Sequence, residues 1–296
     1  MRVLVTGGRG QLGRGLGRRG PAHGIEVMAP DRESLDVTEP ATIERALDAL
    51  QPAAVIAAAA FTDVDRAERE PERAFAVNAV GAASVAWACA ARSIPLVHVS
   101  TDYVFDGTAR TPYREDAAVA PLGVYGASKA AGERAVLELG GTVVRTSWLF
   151  GEGGPSFVHA IARRAVEPEE LRVVRDQEGC PTWVDHLADA LCALVRRGPP
   201  TAIIHVCGDE PVTRDAFARA ILDELRRHGP LPCARIVPIA TSELPAAARR
   251  PAYSVLDTTR ARDLGLPIGS WRDGLPALLA PLASLAPVAL ERGARR

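Results

Sequence analysis

The first half of the chain alternates between short apolar runs and longer segments of mixed polarity. Four apolar runs have the length of buried strands, at residues 2–6, 25–29, 52–59 and 96–100. The segments between them are longer and rich in good helix formers, which predicts helices at residues 40–50 and 71–92. Regular alternation of this kind is typical of an α/β fold with a doubly wound parallel sheet, whose ligands bind at the carboxyl ends of the strands.

Beyond residue 150 the alternation becomes less regular. Helices are predicted at residues 156–166 and 185–197, and a short strand at residues 203–206 is expected to return to the sheet. Residues 213–227 are assigned to the smaller lobe. A proline-rich stretch occupies residues 230–251, and a last helix begins near residue 271. We therefore predict a sheet domain over residues 1–150, joined by 182–207, and a smaller C-terminal lobe over residues 151–181 and 208–296.

A glycine-rich loop separates the first predicted strand from a helix. Gly7, Gly10 and Gly13 are spaced so that the chain can turn tightly, approach a pyrophosphate with its backbone, and pack helix against strand. The free N–H groups at the start of the helix suit phosphate oxygens. A glycine triplet is weak on its own, but its position between strand and helix favours binding of a dinucleotide.

Polar and small residues follow the next two strands. Asp31 could accept a hydrogen bond from an adenosine ribose and Arg32 could contact a 2′-phosphate, so this pair leaves NADH and NADPH both open. Asp36 and Val37 are placed to flank an adenine, unless they form an ordinary turn before the next helix. The small residues 58–60 (Ala58, Ala59 and Ala60) would let a cofactor lie against the end of the third strand.

Tyr125 and Lys129 lie four positions apart near the start of a predicted helix, on one face. Lys129 is the only lysine in the chain, although lysine and arginine together number 35. An ammonium beside a phenol can lower the phenol's pKa from roughly 10 toward neutrality, which a planar guanidinium does not reproduce in the same pose. A solvated helix face would carry such a pair by chance, so the pattern becomes informative only beside other groups.

Such groups stand at the end of the fourth strand. Thr101 supplies a hydroxyl and Asp102 a carboxylate at the edge of the sheet where a nicotinamide is expected, and Tyr103 follows them. A further pair, Arg249 and Arg250, could bind a diphosphate with its guanidinium groups or could be solvated.

Composition narrows the function classes. The formal net charge of −1 gives no reason to expect nucleic acid or a membrane surface as a partner. The chain shows no signal-peptide pattern, and its longest apolar run is far shorter than the ~20 residues of a spanning helix, so we expect a soluble, cytoplasmic protein. The five scattered cysteines and six histidines lack metal-ligand spacing, and we expect no metal site.

Together these segments resemble the extended short-chain dehydrogenase/reductases, and within them the dTDP-4-dehydrorhamnose reductases. The resemblance runs nearly the whole length, through residues 7–13, 58–68, 77–79, 100–107, 121–129, 145–148, 176–182 and 249–257. It implies an NAD(P)-binding Rossmann fold with a C-terminal substrate lobe. The sequence departs from the family's usual asparagines at Ala57 and Tyr253.

The resemblance also implies roles for individual residues. Tyr125, Lys129 and Thr101 would be catalytic, and Thr101, Asp102 and Trp148 would contact the sugar. Cofactor contacts would come from Gly10, Gln11, Leu12, Asp36, Val37 and Ala58 to Ala60. The implied reaction is reduction of a dTDP-4-keto-6-deoxyhexose with NADPH or NADH, by a homodimer.

Three other functions occur among relatives of this kind. A 4,6-dehydratase would carry an Asp-Glu pair after the threonine, whereas this chain has Asp102 and Tyr103, whose ring more plausibly packs on the sugar. A 4-epimerase would keep its dinucleotide tightly bound and recycle it. The regulatory beta subunit of methionine adenosyltransferase binds a dinucleotide without needing catalytic groups. We expect an enzyme because this chain retains five groups together: Thr101, Asp102, Tyr125, Lys129 and Trp148.

Overall fold

A six-stranded parallel sheet forms the centre of the molecule, as the hydrophobic pattern predicts. The computed structural model describes residues 1–167, 170–233 and 235–281. The strands are β1 (Arg2–Thr6), β2 (Glu26–Met28), β3 (Ala54–Ala57), β4 (Leu96–Thr101), β5 (Thr142–Thr146) and β10 (Ile203–His205). Their order is β10-β5-β4-β3-β1-β2, so the direction of winding reverses between β1 and β3. Ligands of doubly wound sheets bind at this reversal, outside the carboxyl ends of the strands.

Helices cover both faces of the sheet. The helices of the first half are α1 (Gln11–Arg19), α2 (Pro40–Leu50), α3 (Val64–Arg69), α4 (Pro71–Phe75), α5 (Ala82–Ala90) and α6 (Val124–Glu138). Val3 and Val5 of β1 pack with α1 on one face, whereas Leu4 packs with α2 and α5 on the other. Successive side chains of a strand point to opposite faces, so an uninterrupted apolar run is what a strand covered on both sides requires.

The segment Pro71–Ala90 is one continuous helical stretch in which a π-helical turn, Ala76–Gly81, joins α4 to α5. Within the described ranges it is the one helix long and apolar enough to cross a membrane by length and composition. Core helices of soluble proteins pass the same test. This stretch packs against α2 and α6 within the fold, while its Phe75, Val80 and Trp87 side chains remain exposed.

Within the described residues, the C-terminal half adds short strand pairs, four helices named below and a further helical segment at residues 274–281. Two-residue strands β6 (Leu149–Phe150), β8 (Glu178–Gly179), β9 (Thr182–Trp183) and β11 (Val212–Thr213) accompany β7 (Leu171–Val174) and β12 (Ile236–Ile239). The helices are α7 (Phe157–Arg164), α8 (Val184–Arg197), α9 (Arg214–Arg226) and α10 (Thr259–Asp263). The sequence pattern missed the parallel pair β7 and β12, because the second strand lies inside the proline-rich stretch.

The predicted return of the chain to the sheet is present, since β10 pairs with β5 and α8 packs against α1. Phe217 of α9 and the fully buried Trp271 belong to the same core cluster as Val3 and Leu16. The core of the C-terminal half is therefore continuous with the core beneath the sheet. The division into two functional units stays a prediction, and its last part, residues 282–296, lies outside the described ranges.

Candidate active site

A cavity of about 990 Å³ runs along the carboxyl ends of β1, β3, β4 and β5. Most residues singled out by the sequence line it: Gly7, Gly10, Gln11, Leu12, Gly13, Arg32, Asp36, Val37, Ala58, Ala59, Ala60, Thr101, Asp102, Tyr125, Lys129 and Trp148. Four do not, namely Asp31, Tyr103, Arg249 and Arg250. The parallel sheet brings these groups together because the loops after successive strands all open at one edge.

The glycine loop forms one end of the cavity in a conformation that excludes larger residues. Gly7 has a φ of +71°, and a Cβ added to it would lie 2.9 Å from the backbone of Ala59. A Cβ on Gly13 would lie 2.5 Å from the carbonyl oxygen of Gly8. The loop is therefore packed backbone against backbone, and the first residues of α1 line the cavity. This arrangement fits the pyrophosphate of a dinucleotide.

Gln11 connects the glycine loop to the loop that follows β6, on the other side of the cavity. Its side-chain amide donates to the carbonyl oxygens of Gly151 at 3.0 Å and Gly154 at 2.8 Å. The loop after β6 therefore lies across the first turn of α1 and contributes Gly153, Gly154 and Pro155 to the cavity wall.

Asp31, expected beside the adenosine ribose, lies outside the cavity wall. Its Oδ2 accepts from the guanidinium of Arg9 at 2.8 Å, and its Oδ1 accepts from the backbone N–H of Ser34 at 3.0 Å. The sequence placed Asp31 at the correct strand end, but it could not show that an arginine of the glycine loop would pair with it.

Thr101 and Asp102 close the carboxyl end of β4. The Thr101 hydroxyl donates to Oδ1 of Asp102 at 3.0 Å and accepts from the backbone N–H of Tyr103 at 3.2 Å. Asp102 is only 2% exposed, and burial raises the pKa of its carboxyl to about 6, although the hydroxyls of Ser254 and Thr101 act to lower it. Oδ2 of Asp102 is itself buried, and among the described residues it has no hydrogen-bond partner of good geometry.

Tyr125 reaches the same point from the first turn of α6. Its ring packs edge-to-face on Tyr103, with centroids 5.7 Å apart and an interplanar angle of 78°. Burial raises the pKa of the Tyr125 phenol above its usual value of 10.0, and the hydroxyl of Thr101 opposes the rise as a hydrogen-bond partner. The direction is opposite to the lowering that the Tyr-Lys spacing predicted.

The orientation of Lys129 explains this difference. Its Nζ donates to the carbonyl oxygen of Val99 at 2.7 Å and lies 3.1 Å from Nε2 of His98. Both contacts run to β4 rather than to the phenol. The side chain is 2% exposed, and burial lowers the pKa of the ammonium to about 8 against the opposing charge of Glu133.

Asn78 and Glu68 position α6, and the sequence did not assign them this role. The buried amide of Asn78, in the π-helical turn, donates to the carbonyl oxygen of Phe61 and to Oγ of Ser128, each at 3.0 Å. Ser128 in turn donates to the carbonyl oxygen of Tyr125 at 2.8 Å. Oε1 of Glu68 accepts from the N–H of Val124 at 2.8 Å and caps the helix. Both residues fall in segments of family resemblance, which was the one signal available.

Trp148 is held in a strained backbone conformation. It has a φ of +45°, and its indole lies so close to Gly179 that a Cβ there would be 2.6 Å from the ring. The guanidinium carbon of Arg214, at the start of α9, lies 3.3 Å from the centroid of the indole. Arg214 carries no motif, so the sequence gave no reason to select it. The indole is thus fixed on two sides and contributes to the cavity wall.

The two arginines of the expected diphosphate clamp diverge. Arg250 pairs with Asp65, with NH2 and Oδ2 2.6 Å apart. Arg249 is exposed and lines a small second cleft together with Tyr103 and Tyr125. Burial raises the pKa of the Tyr103 phenol, and the nearby guanidinium groups of Arg214 and Arg250 act to lower it. Positive charge therefore surrounds Tyr103, from three positions rather than from one adjacent pair.

Across the described ranges, no group of three or more histidine, cysteine, aspartate or glutamate side chains is arranged to hold a metal ion. All five cysteines are buried free thiols.

Comparison with known proteins gives consistent matches over nearly the full length. The sequence model of the RmlD substrate binding domain matches residues 1–284. A dTDP-4-dehydrorhamnose reductase of Streptomyces griseus is 43% identical over 282 residues, covering 93% of this chain and 91% of that protein. A dTDP-4-keto-6-deoxy-D-glucose reductase of Streptomyces niveus is 39% identical, covering 93% of this chain and 95% of that protein. The crystal structure of dTDP-4-dehydrorhamnose reductase from Bacillus anthracis, in complex with NADP, has a TM-score of 0.88 and 36% identity, covering 95% of this chain and 99% of that one.

Proposed function

The chain belongs to the dTDP-4-dehydrorhamnose reductase family, and on that premise we propose that it reduces the 4-keto group of a dTDP-4-keto-6-deoxyhexose with NADPH. The product would be dTDP-L-rhamnose or a related deoxysugar nucleotide. NADH is the alternative reductant. The observation that carries the proposal is the meeting of Thr101, Tyr125 and Lys129 in the cavity that also contains the glycine loop.

In this proposal Tyr125 is the general acid. A bound NADPH supplies the hydride that reaches the carbonyl carbon. The oxygen of that carbonyl then needs a proton, and a phenol with a raised pKa still carries one at neutral pH. Thr101 holds the same oxygen by a hydrogen bond, and its own bond to Asp102 fixes the hydroxyl. Lys129 would hold a positive charge toward the ribose of a bound cofactor, because a pKa of about 8 leaves it mostly protonated at pH 7.

The substrate would occupy the side of the cavity formed by Asp102 and Trp148. Asp102 and Trp148 both line this side, and the indole offers an apolar edge to the sugar. Tyr103 would pack on the sugar beside Tyr125. For the diphosphate we retain Arg249, which faces the second cleft, and add Arg214, whose guanidinium is near Asp102 and Tyr103. Residues 151–181 and 208–296 would form most of this substrate side.

Three further features belong to the proposal. We propose a cytoplasmic homodimer whose partners are its sugar-nucleotide substrate and dinucleotide, without nucleic acid or membrane. Elimination is disfavoured because Asp102 is followed by Tyr103 rather than by a second carboxylate. A purely regulatory role is disfavoured because the acid, the hydroxyl and the ammonium all line one cavity.

The decisive experiment follows cofactor oxidation by absorbance with purified protein. The substrates are dTDP-4-keto-6-deoxyglucose and its 3,5-epimerised form, each with NADPH and with NADH. We expect one-for-one consumption of cofactor and substrate, and identification of the product distinguishes rhamnose from a related sugar. Tight dinucleotide binding without oxidation of any cofactor by any substrate would favour the regulatory alternative. Turnover without net oxidation would favour an epimerase.

A further inference from the structure

A buried ion pair lies between α6 and the sheet, one helical turn after Lys129. It joins Glu133 of α6 to Arg145 of β5. We propose that Glu133 is a positioning residue for the reaction, whose carboxylate, fixed by Arg145, keeps the ammonium of Lys129 charged. The inference rests on the proposed function for the use made of that ammonium, whereas the charge itself can be measured without any substrate.

The geometry of the ion pair fixes both side chains. Nε of Arg145 donates to Oε1 of Glu133 at 2.9 Å, and NH2 donates to Oε2 at 2.7 Å. The two side chains are 2% and 4% exposed. The third nitrogen, NH1, lies 3.4 Å from Nε2 of His205, an imidazole that is neutral because burial and the charge of Arg145 lower its pKa to about 3. Both oxygens of Glu133 are therefore held in one place by a single guanidinium.

Stability alone does not account for an ion pair at this depth. Taking two charges out of water costs about as much as their attraction returns, so replacing a buried pair by apolar side chains is often neutral or stabilising. The position of Glu133 on the helix indicates another role. Residues four apart on a helix lie on one face, with Cβ atoms about 5–6 Å apart, which places Glu133 beside Lys129. Both side chains are buried, so water screens their attraction little.

The other groups that contact Lys129 carry no negative charge. Its Nζ donates to the carbonyl oxygen of Val99 at 2.7 Å and lies 3.1 Å from Nε2 of His98. His98 is neutral, because burial and the ammonium hold its pKa well below the usual range. Tyr125, one turn earlier on α6, keeps its proton because burial raises its pKa. An ammonium has three N–H donors, so the two contacts to β4 leave one donor for a ligand in the cavity.

Charges on the surrounding elements act unequally on Lys129. Burial lowers the pKa of the ammonium to about 8, and the charge of Glu133 opposes that fall. Asp102, at the end of β4, lines the same cavity but accepts from Thr101, and Arg145 of β5 is turned to Glu133. Removing the charge of Glu133 should therefore let Lys129 lose its proton near neutral pH, where the proposed reaction uses it.

The test depends on Lys129 being the only lysine in the chain. Protein grown with lysine labelled with ¹³C at Cε gives one lysine signal in the NMR spectrum, and its titration reports the pKa of this ammonium directly. Glu133→Gln removes the charge and keeps the size of the side chain. We expect the pKa of Lys129 to be about 8 in the wild type and lower by about one pH unit or more in Glu133→Gln. The alkaline limit of turnover, followed by NADPH oxidation, should move down with it.

Three further variants separate charge from packing. Glu133→Asp keeps the charge and should hold the pKa of Lys129 within about half a pH unit of wild type. Glu138→Gln is the matched control, because Glu138 is exposed on the same helix and should have no effect. Glu133→Gln leaves Arg145 buried without its partner, which destabilises the fold. Glu133→Gln combined with Arg145→Met removes both charges, and in this double variant the pKa of Lys129 should also fall.

Three results would overturn the proposal. The first is a pKa of Lys129 within about 0.3 pH units of wild type in folded Glu133→Gln, or in the double variant where the single one does not fold. The second is an equal fall in Glu133→Asp and Glu133→Gln, since that would assign the effect to packing. The third is a lowered pKa with an unchanged alkaline limit of turnover. A protein that reduces no dTDP-4-keto sugar would refute the proposed function, and the titration of Lys129 would still decide whether Glu133 maintains its charge.

Discussion

Replacing Gly126 with alanine should push the catalytic helix away from the end of β4. Gly126 follows Tyr125 in α6, and a Cβ built on it would lie 2.1 Å from the carbonyl oxygen of Tyr103. Ordinary van der Waals contact begins at 3.4 Å, so the two backbones must separate by about 1.3 Å. A flexible side chain could yield instead, but the obstructing atom belongs to the backbone just after Thr101 and Asp102. The displacement therefore moves Tyr125 relative to Thr101.

The size of the effect follows from this displacement. A shift of about 1 Å between reacting groups can lower the rate by about 100-fold, and we expect a loss of turnover of that order. Overpacking of a tight contact costs about 1–3 kcal/mol. For a domain of this size each kcal/mol lowers the melting temperature by roughly 2–4 °C, so a fall of roughly 2–12 °C should accompany the loss.

The assay compares turnover from NADPH absorbance, dinucleotide affinity from fluorescence, and the melting temperature. Gly17→Ala on the exposed side of α1 is the matched control, because a Cβ there meets no atom within 4 Å. It should keep full activity and gain about 0.5–1 kcal/mol of stability, as alanine is the better helix former. If Gly126→Ala keeps its turnover within about threefold of wild type, the close contact between α6 and the end of β4 does not control the position of Tyr125.

Three further outcomes are expected. Tyr125→Phe should lower turnover by at least about 100-fold while leaving the dissociation constant of NADPH unchanged, and near-native turnover would remove Tyr125 as the acid. Asn78→Ala should lower both turnover and melting temperature by breaking the link from Phe61 to Ser128, whereas an equal fall in stability with unchanged turnover would make Asn78 purely structural. For Asp102 the folded pKa of about 6 lies above the usual 3.8, so the folded state holds its proton more tightly and loses stability as pH rises from about 4 to 6. Free energies of unfolding in urea test this: between pH 4 and 6 the stability of Asp102→Asn should rise by up to about 3 kcal/mol relative to that of the wild type. A difference in stability between the two proteins that does not change with pH would contradict the raised pKa.

The sequence predicted the parts of the fold that depend on local pattern. Each predicted strand of the central sheet is present, because apolar runs of this length between helices have few other structures available. The family resemblance and its implied function agree with the matches found. The strand, loop and helix around Gly7 and Gly13 could also be predicted, because a close contact between two backbones tolerates only glycine.

Contacts between residues that are distant in the sequence, or whose partners are distant, could not be predicted from it. Asp31 and Arg9 are 22 positions apart, and their pairing depends on how the glycine loop faces the end of β2. Arg249 and Arg250 are adjacent in the chain, but Asp65 on α3 takes one of them and leaves the other in a separate cleft. Arg214 meets Trp148 only because β8 and the start of α9 enclose the indole. The sequence shows where the charged residues are, but it does not predict which residue each of them will contact.

The pKa of Tyr125 shows how a wrong expectation from the sequence can still support the same function. The spacing to Lys129 predicted a lowered pKa, which would suit a phenolate that removes a proton. Burial raises the pKa instead, and the ammonium is held by Val99 and His98 on β4. A phenol that keeps its proton at neutral pH is a poor base but a ready donor to an oxygen that is gaining negative charge. The electrostatics of this site therefore favour protonation of a reduced carbonyl over deprotonation of an alcohol, which is the direction that a reductase requires.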